Sequence, residues 1–406
     1  MGVALGSFPP PRDCCEFRYR KNKHPEEIGA PKPTLLSVLA GSANTFQMQA
    51  IAHIDLAALR HNLDRVKKLS PDTKVLAVIK ANGYGHGIAR VADALSKADG
   101  FAVTSVEEAL TLREMGIDQR ILALEGFSSV KELDIFRRHH VDAVVHHESQ
   151  IELLERANSG AMVSAWLKVD TGMHRLGIAP ARLGDARHRL RDCANVAPSV
   201  VLMSHLANAD DWRNIDAQVQ IRDFLFIASD FGQEISIANS AAVLAWPEAR
   251  VGWVRPGITL YGISPFPLGK TGSELGFLPA MTLFTHLIAI NRISKGQTVG
   301  YGGSWTCPED MPVGVAAIGY GDGYPRHAPS GCPVLVNGKR VPLIGRVSMD
   351  MITLDLRTQP DARIGDPVVA WGEGLPVEEV ARLSETIAYE LVCGVTRRVE
   401  FVAEEA

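Results

Sequence analysis

The residues of this chain best suited to chemistry are a lysine at the end of an apolar run and the glycine-rich turn after it, Val75-Leu76-Ala77-Val78-Ile79-Lys80-Ala81-Asn82-Gly83-Tyr84-Gly85-His86-Gly87. Five apolar residues bounded by turn chemistry predict a strand buried on both faces, so Lys80 stands where that strand leaves the core. An amine held half inside an apolar site is favoured as the neutral form, which can attack a carbonyl and form an imine. The three glycines permit close backbone approach to a bulky anion, and Tyr84, four residues on, offers a hydroxyl to a phosphate. That combination suits pyridoxal phosphate. A surface lysine in a polar turn is the plainer alternative, and the rest of the chain decides between them.

Other reactive side chains recur along the sequence: Lys168 followed by Asp170, Gly172 and Arg175, then His205, then Asn239 and Ser240, then Arg255 and Gly257. Taken singly, a histidine such as His205 is more often a satisfied core residue, and Arg175 more often a salt-bridge partner. Their common placement is what points to a site. Candidate strands cover 75–79, 101–104, 121–124, 142–145, 164–169, 200–204, 235–238 and 251–254, with helix-like segments between most neighbours, and the reactive residues sit at or just after their carboxyl ends. Asp55 reads as the N-cap of a helix carrying Leu56, Leu59, Leu63, Val66 and Leu69 on one face. Eight alternating strands predict a closed (β/α)8, TIM-type barrel in preference to an open doubly wound sheet, and active sites of such barrels occupy the carboxyl-terminal rim.

Asn239-Ser240-Ala241-Ala242 opens a helix whose N-terminal amides and serine hydroxyl suit an anion, and Arg255-Pro256-Gly257-Ile258 adds further amides beside an arginine. Ser240 alone reads equally well as a plain helix cap. Past about residue 280 the alternation stops. Segments 283–293, 313–318, 333–336 with the Asn337-Gly338 turn, and 347–356 read as short strands of a mostly antiparallel β domain. It carries glycine and tyrosine clusters at 300–303, 319–326 and 345–350. The expected division is therefore a leader over 1–47, a barrel over 48–280 and a β domain over 281–406.

Composition narrows the class. The chain has 406 residues, enough for about two domains, with 42 basic against 46 acidic side chains. So even a balance gives no basic field for nucleic acid or a membrane surface. The six cysteines (Cys14, Cys15, Cys193, Cys307, Cys332 and Cys393) show no C-x-x-C spacing and read as a reduced intracellular set. No apolar run approaches the ~20 residues of a spanning helix. Residues 1–47, with Pro9-Pro10-Pro11 and no usable period, read as a poorly ordered leader, with Met48 an alternative start. A cytoplasmic, metal-free protein is expected.

The run Val78 to Gly87 resembles the cofactor-lysine motif of alanine racemases, pyridoxal-phosphate enzymes built from a barrel and a β domain. Further similarities, in family order, are Lys168 to Gly177, Ser204-His205, Asn239-Ser240, Arg255-Pro256-Gly257, Gly300-Tyr301-Gly302, Gly319 to Arg326, Met349-Asp350 and Tyr389. Together they cover about residues 48 to 402. The resemblance implies that Lys80 binds the cofactor covalently and is one catalytic base, serving the D-isomer, while Tyr301, delivered by the partner subunit of a homodimer, serves the L-isomer. It implies that His205, between Tyr301 and Arg255, tunes the tyrosine, and that Arg255 faces the pyridine nitrogen. Tyr84, Ser240, Gly257, Ile258 and Tyr389 would hold the phosphate, beside Asn239. Arg175 would meet the cofactor's phenolic oxygen and the substrate carboxylate, and the partner's Met349 and Asp350 would line the substrate side. Lys168 matches a lysine that is carbamylated in many relatives, and Gly83 stands where many have alanine.

Physical logic supports a division of labour between two bases. Removing an α-proton needs an electron sink, and inverting the centre needs a second proton donor across the plane. A phenol is a poor base at neutral pH unless neighbouring cations assist it. Arginine can donate to a ring nitrogen but cannot leave a proton there, which weakens the sink and limits transamination. Three alternatives remain at this point. A pyridoxal-phosphate carrier would lack the second domain with Tyr301, and decarboxylases of this architecture carry other cysteine and carboxylate motifs. A broad-specificity amino-acid racemase is the nearest rival, favoured by a periplasmic address. The expected activity is interconversion of L- and D-alanine, for peptidoglycan or for D-alanine catabolism.

Overall fold

The computed structural model describes residues 49–231 and 234–405. The leader expected over 1–47, Met48, Cys14 and Cys15 lie outside the described residues. The chain enters on a short strand, β1 (Ile51–Asp55), and turns at once into helix α1 (Leu56–Leu69). Asp55 caps that helix by accepting from the Ala58 amide at 2.8 Å, and Leu56, Leu59, Leu63 and Val66 form its buried face.

Eight parallel strands follow and close on themselves: β2 (Lys74–Val78), β3 (Gly100–Val103), β4 (Arg120–Ala123), β5 (Val141–Val145), β6 (Ala165–Lys168), β7 (Val201–Met203), β8 (Ile235–Asn239) and β9 (Trp253–Arg255). Closure is direct, with Lys74 opposite Trp253 and Val75 opposite Val254. This is the barrel the alternation predicts. Its strands are short and apolar because each is covered on both faces, outside by helices and inside by one another's side chains. At the amino end of the barrel, Trp166 and Trp253 meet edge to face at 5.7 Å, and Arg120 lies over both rings while pairing with Asp142 at 3.0 Å. That aromatic and ionic plug closes the bottom and leaves the opposite rim for chemistry.

The second sheet runs β10 (Met281–Ile293), β13 (Met311–Ala316), β14 (Pro333–Val336), β15 (Lys339–Ile344), β16 (Ile352–Asp355), β17 (Pro367–Trp371) and β18 (Glu400–Glu404), with a small ribbon of β11 (Thr298–Val299) and β12 (Trp305–Thr306) beside it. Its order is β13-β16-β15-β14-β17-β10-β1-β18, with β13 also pairing β10. Asn337 and Gly338, at φ of +49° and +74°, make the expected hairpin turn between β14 and β15. Two features depart from the sequence reading. The strand expected over 347–356 is confined to 352–355, because Ser348 and Met351 close a turn on each other and the Ser348 and Met349 carbonyls are taken by the Tyr320 and Gly321 amides. And β1 lies in this second sheet, antiparallel to β10 and parallel to β18, although it precedes the whole barrel in sequence. No helix among the described residues is long and apolar enough to cross a membrane.

Candidate active site

Lys80 leaves the carboxyl end of β2 half-buried, and the backbone after it turns left-handed. Ala81, Asn82, Gly83, Tyr84 and Gly85 all have φ between +50° and +78°. For Ala81, Asn82 and Tyr84 that conformation costs about 1–2 kcal/mol per residue, so surrounding structure must impose it. Local bonds contribute: the Gly83 amide donates to the Ile79 carbonyl at 2.8 Å, Gly85 to Ala81 at 3.0 Å and Gly87 to Asn82 at 2.8 Å. The Asn82 side chain accepts from the Ile88 amide at 2.9 Å. Close packing explains why Gly85 must be glycine, since a Cβ there would lie 2.1 Å from the Val392 carbonyl oxygen. The turn presents Lys80 and Tyr84 to one cavity of about 960 Å³ at the carboxyl-terminal rim, a volume suited to a cofactor with its substrate.

On β9, the strand that pairs with β2 at the seam, stands Arg255. Its guanidinium is buried and donates to the Ser236 hydroxyl, to the Ser204 carbonyl at 2.6 Å, and to His205 Nδ1 at 3.4 Å. Burial pulls its pKa down to about 10, which leaves it charged at neutral pH. Burial first, then the cations Arg255, Lys168, Arg175 and Lys80, hold the His205 imidazole well below the usual histidine range. His205 is therefore neutral. Because arginine can only donate, the Nδ1 it faces is the acceptor and the ring proton sits on Nε2.

Lys168, at the end of β6, donates to the Leu176 carbonyl at 2.6 Å. Burial, followed by Arg255 and Arg175 and partly offset by Asp170, lowers its pKa to about 8. The loop after it is shaped by Asp170, whose Oδ1 accepts from the amides of Gly172, Met173 and His174. It brings Arg175, an exposed side chain, to the same cavity.

At the end formed by β8 and β9 the cavity changes character. Asn239 caps the short helix Ser240–Ala245 by accepting from the Ala242 amide at 3.0 Å. Ser240 Oγ accepts from the Gly257 amide at 2.8 Å and from the Thr259 hydroxyl at 3.2 Å, so its own proton is left to donate. Tyr84 and Tyr389 approach each other at 6.1 Å between rings. Burial raises both phenols, keeping them protonated donors. A Cβ on Gly257 would sit 2.5 Å from the Tyr84 hydroxyl, so this corner is tailored to the tyrosine. Ile258, fully buried, completes its wall.

The structure thus gathers Lys80, Tyr84, Lys168, Arg175, His205, Asn239, Ser240, Arg255, Gly257, Ile258 and Tyr389 around one cavity. It does not bring Tyr301, Met349 or Asp350 there. Tyr301 is 71 % exposed and Met349 51 % exposed on the β domain, away from the cavity of their own chain. Sequence reasoning missed Thr104, Leu124, Asp210 and Cys393, which also line it. Thr104 and Leu124 directly follow β3 and β4, so the same rim rule finds them; Asp210 and Cys393 carry no such signal.

Fold and site together define a lysine-centred (β/α)8 barrel enzyme with an appended β domain. Residues 54–265 match the alanine racemase N-terminal domain family and residues 280–403 the alanine racemase C-terminal domain family. The chain is 55 % identical to the alanine racemase of Nitrosococcus oceani over 348 residues, covering 86 % of this chain and 97 % of that one. It is 50 % identical to that of Coxiella burnetii over 361 residues, covering 88 % and 99 %. The biosynthetic alanine racemase structure from Pseudomonas aeruginosa superposes with a TM-score of 0.85 at 43 % identity, covering 88 % of this chain and 99 % of that one. The chain belongs to the alanine racemase family, and so to the isomerases.

Proposed function

We propose that the protein interconverts L- and D-alanine in the cytoplasm, supplying D-alanine for peptidoglycan or for catabolism, with pyridoxal 5′-phosphate bound at Lys80 and each active site completed by a second copy of the chain. The observation that carries the reading is the contact between Arg255 and a neutral His205 in the cavity that Lys80 enters. The cofactor is supported by fit: a spare serine proton, two protonated phenols, a lysine amine and a buried arginine cation line one space of the right size. Tyr84, Asn239, Ser240, Gly257, Ile258 and Tyr389 would hold its phosphate, Arg255 its ring nitrogen, and Arg175 its phenolic oxygen and the substrate carboxylate. Bound there, the group supplies an electron-accepting ring that lets an α-proton depart.

The rest is done by the chain. Lys80 Nζ takes or returns the α-proton of the D-isomer, and Tyr301 of a second copy does so for the L-isomer. His205, with its proton on Nε2, donates toward that tyrosine and stabilises the phenolate, while Arg255 fixes the imidazole from behind. Met349 and Asp350, exposed on the same β domain as Tyr301, would reach the substrate side of the neighbouring site. Incubating the purified protein with the cofactor and L-alanine in deuterated water tests the activity. D-alanine carrying deuterium at the α-carbon is the expected product; pyruvate or ethylamine in its place sinks the reading.

Lys168 fits a carbamate. At pH 7 a group with its pKa near 8 is about one tenth neutral, roughly three hundredfold more than an ordinary lysine, and the neutral amine is what captures carbon dioxide. The added negative charge would answer Arg175 and Arg255, the cations that depress the pKa. With labelled bicarbonate, a carbamate carbon resonance is expected in the wild type and absent in Lys168→Ala, whose KM for alanine rises several-fold as Arg175 loses its anchor. An identical spectrum in both proteins rules the modification out.

A further inference from the structure

The strained turn after Lys80 is packed against its surroundings, and one of its backbone amides is held by a side chain from another element. The amides of Gly83, Gly85, His86, Gly87 and Ile88 bond within 79–88, whereas that of Asn82 reaches outside the turn and donates to Glu108 Oε1 at 3.0 Å. Glu108 lies in the first turn of the helix Val106–Glu114, on the next βα unit of the barrel, and its own amide is capped by Ser105 at 3.2 Å. The second carboxylate oxygen, Oε2, accepts from the Thr104 amide at 3.1 Å and from the Thr104 hydroxyl at 3.3 Å. Thr104 lines the cavity together with Lys80 and Ala81. One carboxylate therefore ties two neighbouring rim segments together, and one of them carries the lysine.

We propose that Glu108 is a positioning residue for Lys80: it locks the left-handed turn through the Asn82 amide, and so fixes the direction from which the lysine amine meets the α-carbon. The proposal rests on the assignment of Lys80 as the base for the D-isomer. The chemistry required of residue 108 is specific, because both oxygens accept from N–H groups. A carboxylate supplies two acceptor ends; an amide of the same shape supplies one acceptor and one donor. Glu108→Gln must therefore set an NH2 group against one of two backbone amides, and shape alone cannot rescue it.

Glu108→Gln is expected to lower kcat about 10- to 100-fold, within the range a misplaced catalytic group loses. The isotope effect of α-deuterated substrate on kcat/KM separates positioning from general damage. With D-alanine it rises, because the Lys80 step becomes limiting; with L-alanine it falls, because Tyr301 acts before that step. A smaller fraction of intact enzyme leaves both isotope effects where they were, and that outcome overturns the proposal. A second readout needs no turnover. Hydrogen exchange of the peptide spanning 80–88, with and without the cofactor, is expected to quicken at least tenfold in the variant, and unchanged protection also counts against the idea. Adding Ala81→Gly to Glu108→Gln is expected to recover several-fold of the lost rate, since glycine adopts φ near +53° without the carboxylate's help. If the wild type itself puts no deuterium into D-alanine, the activity assignment has failed; if it does and the isotope signature is unmoved, the Glu108 proposal alone has failed.

Discussion

Lys80→Ala lowers racemisation of L-alanine by at least about 10⁴-fold at neutral pH while the protein still folds, because covalent anchoring and one of two proton transfers are lost with one amine. The fold is spared because Lys80 is half-buried at the end of β2 and the left-handed turn is held by backbone bonds and by Glu108, none of which uses the lysine side chain. Chiral analysis of product, beside circular dichroism of the variant, checks both halves. Borohydride treatment of the wild type with its cofactor should label the peptide containing Lys80. A label at another lysine, or more than about one per cent residual racemisation, removes the basis of the scheme.

Tyr301→Phe gives the second large loss, about 10³-fold in racemisation, with a different fingerprint. Lys80 remains, so D-alanine continues to exchange its α-proton with deuterated water without inverting, whereas exchange from L-alanine collapses. Mixing settles which chain supplies the phenol. In the proposed shared-site homodimer, Lys80→Ala and Tyr301→Phe subunits would each be inactive alone, yet a mixed dimer would have one site with Lys80 from one chain and Tyr301 from the other. Random reassortment makes half the dimers mixed and half of their sites intact, so about a quarter of wild-type activity should return. No recovery after denaturation and renaturation together would mean that each chain uses its own tyrosine. The exposure of Tyr301, away from its own cavity, is what makes recovery the expected result.

The barrel was legible because each of its strands is an apolar run with helical signals on either side, and all eight fall within two residues of their expected ends. The rim rule then placed Lys80, Lys168, His205, Asn239 and Arg255 around one opening from their positions at strand ends alone. What stayed hidden depends on partners far away in sequence. The left-handed path through Ala81 and Asn82 is invisible locally, because neither is glycine and part of what holds it, Glu108 and the Val392 carbonyl, lies far along the chain. The segment after Gly345 alternates like a strand, but its backbone is claimed by the turn at Tyr320 and Gly321. β1 reads as a prelude to α1, and nothing within it announces that its neighbours are β10 and β18.

That last placement sets an order of assembly. Barrel strands β2 to β9 pair mostly with the strand just made, so a chain leaving the ribosome can build most of the rim by local steps and close it with the β9 to β2 seam. β1 emerges before any of them, yet Ile51 must wait for Phe284 on one side and Glu400 on the other. Until β10 is made it has free amides and carbonyls on both sides, and until β18 is made it remains an open edge on one, the kind of segment that chaperones hold and that aggregates when they are scarce. The slow step in maturation is then expected to be capture of this first strand, after Lys80 is already in its seat.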